Sequence, residues 1–244
     1  MDWSDEGIFF SAKPLGEANA VAELFTLGHG RHLGLVRGGR SRRMRPLLQP
    51  GNLLRATWRA RLSEHLGGFN VELLEAHAGR VLDDAVALAA IGTLAGLTRL
   101  LPERDPHPQL YAATLHVLRA FDDAGVWPAL LVRWELQLLQ ELGFGLDLSE
   151  CAATGAEADL AYVSPRSGRA VSRDAGQPYC SKLLKLPAFL LDGTAPAGED
   201  DVVAGLALTG HFLERDVLEP HGLAMPQARE RLIGLLVRSY KVPA

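Results

Sequence analysis

Cysteine is nearly absent from this sequence, with Cys151 and Cys180 the only two. Two thiols imply no disulfide framework, and a cytosolic compartment is the expectation. Long apolar runs are also missing. The longest nearly uncharged stretch, Ala85 to Thr98, falls about four residues short of the roughly 18 needed to cross a bilayer, and Asp83, Asp84 and Arg99 flank it. A buried helix is expected there. The opening MDWSDEGIFF carries three acids in its first six residues and no basic segment, which argues against a secretory signal. No internal repeat or low-complexity block is visible.

Catalytic signatures are lacking as well. The string Gly28-His29-Gly30-Arg31-His32-Leu33-Gly34 resembles a glycine-rich dinucleotide loop only superficially. It lacks the GxGxxG spacing, and the residues after it read as strand where that loop requires a helix. His29 and His32 have no HExxH or paired-cysteine companions and read as turn residues that add charge at low pH. The acidic pairs Asp83-Asp84, Asp122-Asp123 and Asp200-Asp201 sit at helix ends, where capping explains them better than acid/base chemistry. Neither a nucleophile elbow nor a phosphate-cradling loop occurs. The chain is not expected to be an enzyme, and no cofactor is implied.

The most informative absence is of carboxylates between Gly30 and Arg61. That stretch holds nine arginines (Arg31, Arg37, Arg40, Arg42, Arg43, Arg45, Arg55, Arg59 and Arg61), and the nearest acids are Glu23 and Glu64. It carries +9 within a chain of net −4, so everything else sums to −13. So many uncompensated guanidinium groups repel one another, and an anionic partner offsets that repulsion. A polyanion, nucleic acid first, is therefore the expected ligand.

Short β-like runs fill the chain to about Leu74: Glu6 to Ala12, Ala20 to Thr26, Arg31 to Arg37, Leu53 to Arg61 and Phe69 to Leu74. Glycines and prolines punctuate them. Five strands without an intervening helix fit a small barrel better than an α/β unit. In the fourth, Arg55, Thr57, Arg59 and Arg61 alternate with Leu54, Ala56, Trp58 and Ala60, giving one cationic and one apolar face. Trp58 is thus read as a core residue in preference to a platform for stacking bases. The Gly38 to Pro50 loop, with Arg40, Arg42, Arg43 and Arg45, is expected to be mobile when empty.

Helical patterns follow, at Val81 to Leu101, Pro108 to Ala124 and Pro128 to Leu142, then near Asp200 to Glu219 and Pro226 to Tyr240. Trp134 belongs to an apolar stripe with Leu131, Leu138 and Leu142. Asp147 to Gly176 reads as an irregular polar segment. From Val81 onward there are 14 basic and 21 acidic side chains, a net of −7, so polyanion binding is assigned to the first part.

Three segments carry a family resemblance: GIFFSAKPLGEANA with the following LFT, HGR and VRGGR; then LLQELGFGLDLSEC; then AYVSPRSGRAVS. Over nearly its whole length the chain resembles RecO, the bacterial recombination-mediator family. The resemblance implies an α+β chain, with a five-stranded OB-fold DNA-binding barrel over residues 1–78 and a helical domain over 79–244. It further implies binding of single- and double-stranded DNA, annealing of complementary strands, and cooperation with RecR in loading recombinase onto DNA coated by single-strand-binding protein. The implied location is cytoplasmic and nucleoid-associated, without a membrane.

The acidic C-terminal tail of single-strand-binding protein is implied to dock on the helical domain, where Arg99, Arg104, Arg119 and Arg133 are the candidate basic rim. Many family members hold zinc through four cysteines in the loop corresponding to residues 147–176. The matching positions here are Cys151, Thr154, Ser172 and Ala175, a degenerate set with one thiol, so no bound metal is expected. Two rivals stand beside DNA binding: an RNA-binding OB module, since barrel chemistry does not separate the two nucleic acids, and a scaffold whose basic loop meets an acidic protein.

Overall fold

The computed structural model describes residues 1–240. Five strands close a barrel: β1 (Asp2–Leu15), β2 (Asn19–Thr26), β3 (Gly30–Val36), β4 (Leu53–Arg59) and β5 (Gly68–Glu75). Their order is β1-β2-β3-β5-β4, with β4 returning to β1. Every pairing is antiparallel except that of β3 with β5, which consists of Leu35 opposite Gly68 and Val36 opposite Phe69. β1 serves two partners, β4 along Asp2 to Ile8 and β2 along Gly7 to Leu15, and a register shift between Phe9 and Ser11 lets it bend between them. This is the OB-fold barrel, and all five anticipated strands are in it.

Period-two alternation builds the interior. Leu54, Ala56 and Trp58 of β4 pack inward with Phe9, Leu24 and Phe69, while Arg55 and Arg59 stay exposed. Trp58 donates its indole N–H to the Leu66 carbonyl at 3.0 Å, which satisfies its one polar atom inside the barrel. Beside it Gly67 lies at φ +63°, and a Cβ there would come within 2.4 Å of the indole, so the β4–β5 turn needs glycine. β1 starts earlier than the sequence pattern suggests, because Asp2, Ser4 and Glu6 alternate with Trp3 and Asp5 without an apolar signal.

Two compact units divide the chain between Asp122 and Asp123. The first contains the barrel together with α1 (Ala85–Thr98) and α2 (Pro108–Arg119). Asp84 caps α1 by accepting from the Val86 and Ala87 amides at 2.8 and 3.1 Å, as anticipated for that pair. These helices cover a second apolar surface of the barrel: Phe25 meets Tyr111 edge to face at 5.7 Å, and Gly51 lies against Ile91 and Leu118.

The second unit begins with α3 (Trp127–Glu141), which ends at Gly143, φ +86°, in the left-handed region that glycine tolerates. The segment expected to be irregular instead supplies β6 (Leu160–Val163) and β7 (Ala170–Ser172), which join β8 (Leu184–Lys185) in a small antiparallel sheet of order β7-β6-β8. Leu160, Val163, Ala170 and Val171 are buried, and that burial outweighs the polar composition around them. A single turn, α4 (Arg173–Gly176), precedes α5 (Glu199–Phe212) and α6 (Gln227–Tyr240). The helix expected through Glu219 loosens after Phe212 into a π-helical stretch, Leu213–Leu218, then a 3-10 turn ending at Gly222. Trp127, Trp134, Phe189 and Phe212 form the unit's large buried side chains. Among them Arg229 donates to both oxygens of Glu135 at 2.8 Å, an ion pair with almost no solvent contact.

Candidate nucleic-acid interface

The short parallel pairing of β3 with β5 leaves a cleft of about 880 Å³ on the barrel. Arg37 and Arg59 line it from different strand ends, together with Thr57, Asn70, Phe69 and Met44. It combines two cations, two hydrogen-bonding side chains and an aromatic edge, which are the groups a sugar-phosphate strand with unpaired bases requires.

Above it runs the Gly38 to Pro50 loop. Ser41, Met44 and Leu48 are joined by successive backbone turns, and Met44, Leu47 and Leu48 pack against the barrel core. Asn52 donates to the Pro46 and Leu47 carbonyls, and Arg40 donates to the Gly16 and Glu17 carbonyls at 3.1 and 3.0 Å. The loop is therefore tied to its neighbours at several points, in contrast to the mobile loop expected from its composition. Arg42, Arg43 and Arg45 project from it exposed, and among the described residues no carboxylate pairs with them.

The other arginines of the stretch differ from one another. Arg55 stands in register between Glu6 of β1 and Glu72 of β5, so its field is locally balanced. Arg59 faces Asp2 at 4.0 Å with both side chains mostly exposed, a weak pairing, and Arg61 is exposed. Arg31 departs from the expected binding stripe. Its guanidinium reaches Glu23 at 3.3 Å, Glu103 at 3.4 Å and the Leu101 carbonyl. Its side chain fastens β3 to the segment after α1.

The four residues proposed as a basic rim are likewise engaged inside the chain. Arg99 grips both oxygens of Glu23 and the Ser11 hydroxyl, and that grip together with Arg31 holds the Glu23 carboxyl below its usual range despite burial. Arg104 donates to the Ser63 and His65 carbonyls, and Arg119 is paired with Glu75. Arg133 donates to the Phe189 and Asp192 carbonyls. Arg99, Arg104 and Arg119 belong to the first compact unit and Arg133 to the second, so these four do not form one rim within a unit.

The histidines correct a further expectation. His29 does lie in a turn, bonded to Asp5 at 3.1 Å, but His32 is buried in β3, and burial pushes its pKa down to about 4. At the degenerate metal positions, the buried Cys151 sulfur accepts the Ser172 amide at 3.2 Å, and hydrogen bonds from Ser172 draw the thiol down to about 6. Among the described residues no three His, Cys, Asp or Glu side chains are gathered as a metal would require. No helix among them is long and apolar enough to cross a membrane.

Thr57, Asn70 and Met44 were not singled out by sequence as part of an interface. Thr57 carried a usable signal, its place on the cationic face of β4. Asn70 comes into the cleft only through its pairing opposite Thr57.

A small five-stranded barrel with a cationic cleft, ahead of a mainly helical unit, defines a class of OB-fold proteins. Comparison with known families narrows it. Residues 1–77 match the family described as Recombination protein O N terminal, and residues 82–223 match Recombination protein O C terminal. The chain is similar to the DNA repair protein RecO of Methylobacterium nodulans, 55% identical over 96% of this chain and 98% of that one. Its similarity to the DNA repair protein RecO of Rhodopseudomonas palustris is 53% identity over 100% and 99% of the two chains, and to that of Methylorubrum populi 54% over 96% and 98%. The chain belongs to the RecO family, and its role lies in DNA repair and recombination.

Proposed function

We propose that the barrel binds single- and double-stranded DNA through the cleft and the loop above it. Arg37, Arg42, Arg43, Arg45, Arg59 and Arg61 are the principal phosphate contacts, with Arg40 and Arg55 secondary. The observation that carries this reading is the cleft itself, with Arg37 and Arg59 lining it and the unpaired arginines of the loop beside it. Arg31 acts from beneath as a structural tie.

Annealing follows from the same electrostatics, since a cationic surface lowers the repulsion between two polyanions while their base edges remain free to pair. No chemical step is required. In the cell this activity would operate at the nucleoid, with RecR, on DNA covered by single-strand-binding protein. If Arg99, Arg104, Arg119 or Arg133 receives the acidic tail of that protein, the tail must compete with acceptors already in place, so charge reversal there should lower stability as well as tail affinity.

The direct test is annealing of complementary oligonucleotides coated with single-strand-binding protein, using wild type and a variant with Arg42, Arg43 and Arg45 changed to Gln. Loss of annealing and a shallower salt dependence support the proposal. Unchanged annealing refutes it, and tighter binding to RNA than to DNA of equal length would favour an RNA module.

A further inference from the structure

A second concavity, of about 550 Å³, opens on the first unit and is lined by Trp3, His29, His32, Trp58, Ser63 and Arg104. It takes no part in the phosphate contacts proposed above. One wall is a column of rings. His29 stacks on Trp3 with centroids 4.0 Å apart and planes 8° from parallel, and Trp3 lies 5.8 Å from Trp58 at 18°. His32 meets both indoles edge-on, at 5.2 and 5.0 Å. Burial holds this imidazole neutral, so it adds an apolar wall instead of a charge. The column ends at the outer face of His29, whose side chain is 38% exposed.

Arg104, also in the lining, is held on an unusual backbone. Arg104 has φ +63°, a conformation that costs a non-glycine residue free energy and persists where surrounding contacts impose it. Those contacts are its amide bond to the Arg31 carbonyl at 2.8 Å and its guanidinium bonds to Ser63 and His65. The guanidinium carbon lies 5.9 Å from the Trp58 ring centre, and its Nε is buried without a hydrogen-bond partner. Its donors are thus engaged or enclosed within the protein, and the cavity presents ring faces rather than a free guanidinium. A phosphate group fits such a site poorly. A planar heterocycle fits it well.

Continuity with the cleft points to the source of that heterocycle. Trp58 and Arg59 are successive residues on opposite faces of β4, and Arg59 lines the cleft while Trp58 lines the cavity. Gly67, also in the cleft, abuts the Trp58 indole, and Asp2 lies at the cavity while facing Arg59. A strand whose phosphates engage Arg59 and Arg61 therefore brings a base to the cavity mouth. Resting on the DNA-binding reading above, we propose that this cavity is a stacking site for one unpaired nucleobase, with the outer face of His29 extending the Trp3–Trp58 column onto the base. Such a site prefers single strands over duplex and tolerates any sequence, because every base offers a π-face.

The test uses the full chain and two probes, an oligothymidylate and an abasic deoxyribose-phosphate strand of equal length. Wild type should bind the base-bearing strand roughly tenfold more tightly than the abasic one, as loss of one stacked base predicts. In His29→Ala that preference should shrink toward parity while abasic affinity and the salt slope stay unchanged. Trp3→Phe, which keeps a ring behind His29, should retain most of the preference while showing less base-dependent quenching of tryptophan emission. Should wild type bind both strands equally, with a steep salt dependence, the cleft reading stands and the stacking site falls. An undiminished preference in His29→Ala also removes it. If wild type binds neither strand, the DNA-binding reading itself fails.

Discussion

Two groups of arginines in the first unit carry the same charge and perform opposite tasks. Arg42, Arg43 and Arg45 extend from a loop that is itself anchored, with no carboxylate paired to them among the described residues. Arg31, Arg99 and Arg119, by contrast, are fastened to Glu23, Glu103 and Glu75 and bind the segments around α1 and α2 to the barrel. A guanidinium is a structural clamp where the fold supplies an acid and a ligand contact where it does not. The second unit gives the extreme case, with Arg229 and Glu135 sealed together at 5% and 0% side-chain exposure.

This contrast can be broken most severely at that sealed pair. Arg229→Met leaves Glu135 buried without its cation and should cost about 3–5 kcal/mol, read as a fall in thermal midpoint, whereas adding Glu135→Leu should recover much of the loss. A negligible effect of the single change would show that the pair is not sealed from water. Next, changing Arg37, Arg42, Arg43 and Arg45 together to Gln should weaken single-strand binding by roughly a hundredfold at low salt and flatten the log-log salt slope by about 3, at 0.7 per phosphate contact. Its thermal midpoint should barely move.

Glu23→Gln provides the opposite pattern. Removing the shared acid of Arg31 and Arg99 should cost about 2 kcal/mol of stability and leave the salt slope intact. A changed slope with unchanged stability would move Arg31 back among the ligand contacts. His32 then tests the barrel interior by pH. Its folded pKa, about 4, lies below its ordinary 6.5, so the unfolded chain takes up the proton first as pH falls. Stability present above pH 6.5 should decline by on the order of 2 kcal/mol between pH 6.5 and 4, and His32→Leu should lose that part of the dependence. The smallest effect belongs to the exposed pair of Arg173 with Asp159, where Arg173→Gln should cost less than about 1 kcal/mol.

The barrel was legible because β4 alternates so cleanly, with Leu54, Ala56 and Trp58 against Arg55, Thr57 and Arg59. Its neighbours were framed by glycine and proline breaks. The small sheet of β6, β7 and β8 was not legible, since strands of two to four residues are too short for periodicity to rise above their polar surroundings. Of the candidate interface, the cationic composition was visible but the cleft was not. Asn70 reaches Thr57, and Trp3 reaches Trp58, only through strand pairings that join distant parts of the chain.

Charge sorting, the alternation of one strand and the Asp84 cap of α1 are local properties, and the amino-acid order alone determined them, whereas Asp200 and Asp201 fall inside the first turn of α5 behind Gly198. Which arginines remain available to a ligand was decided by tertiary structure. Glu23 lies outside the arginine-rich stretch, yet folding sets it against Arg31 eight residues away and Arg99 seventy-six residues away. Electrostatic pairing depends on distance in space, and chain separation carries almost no information about it until the barrel closes.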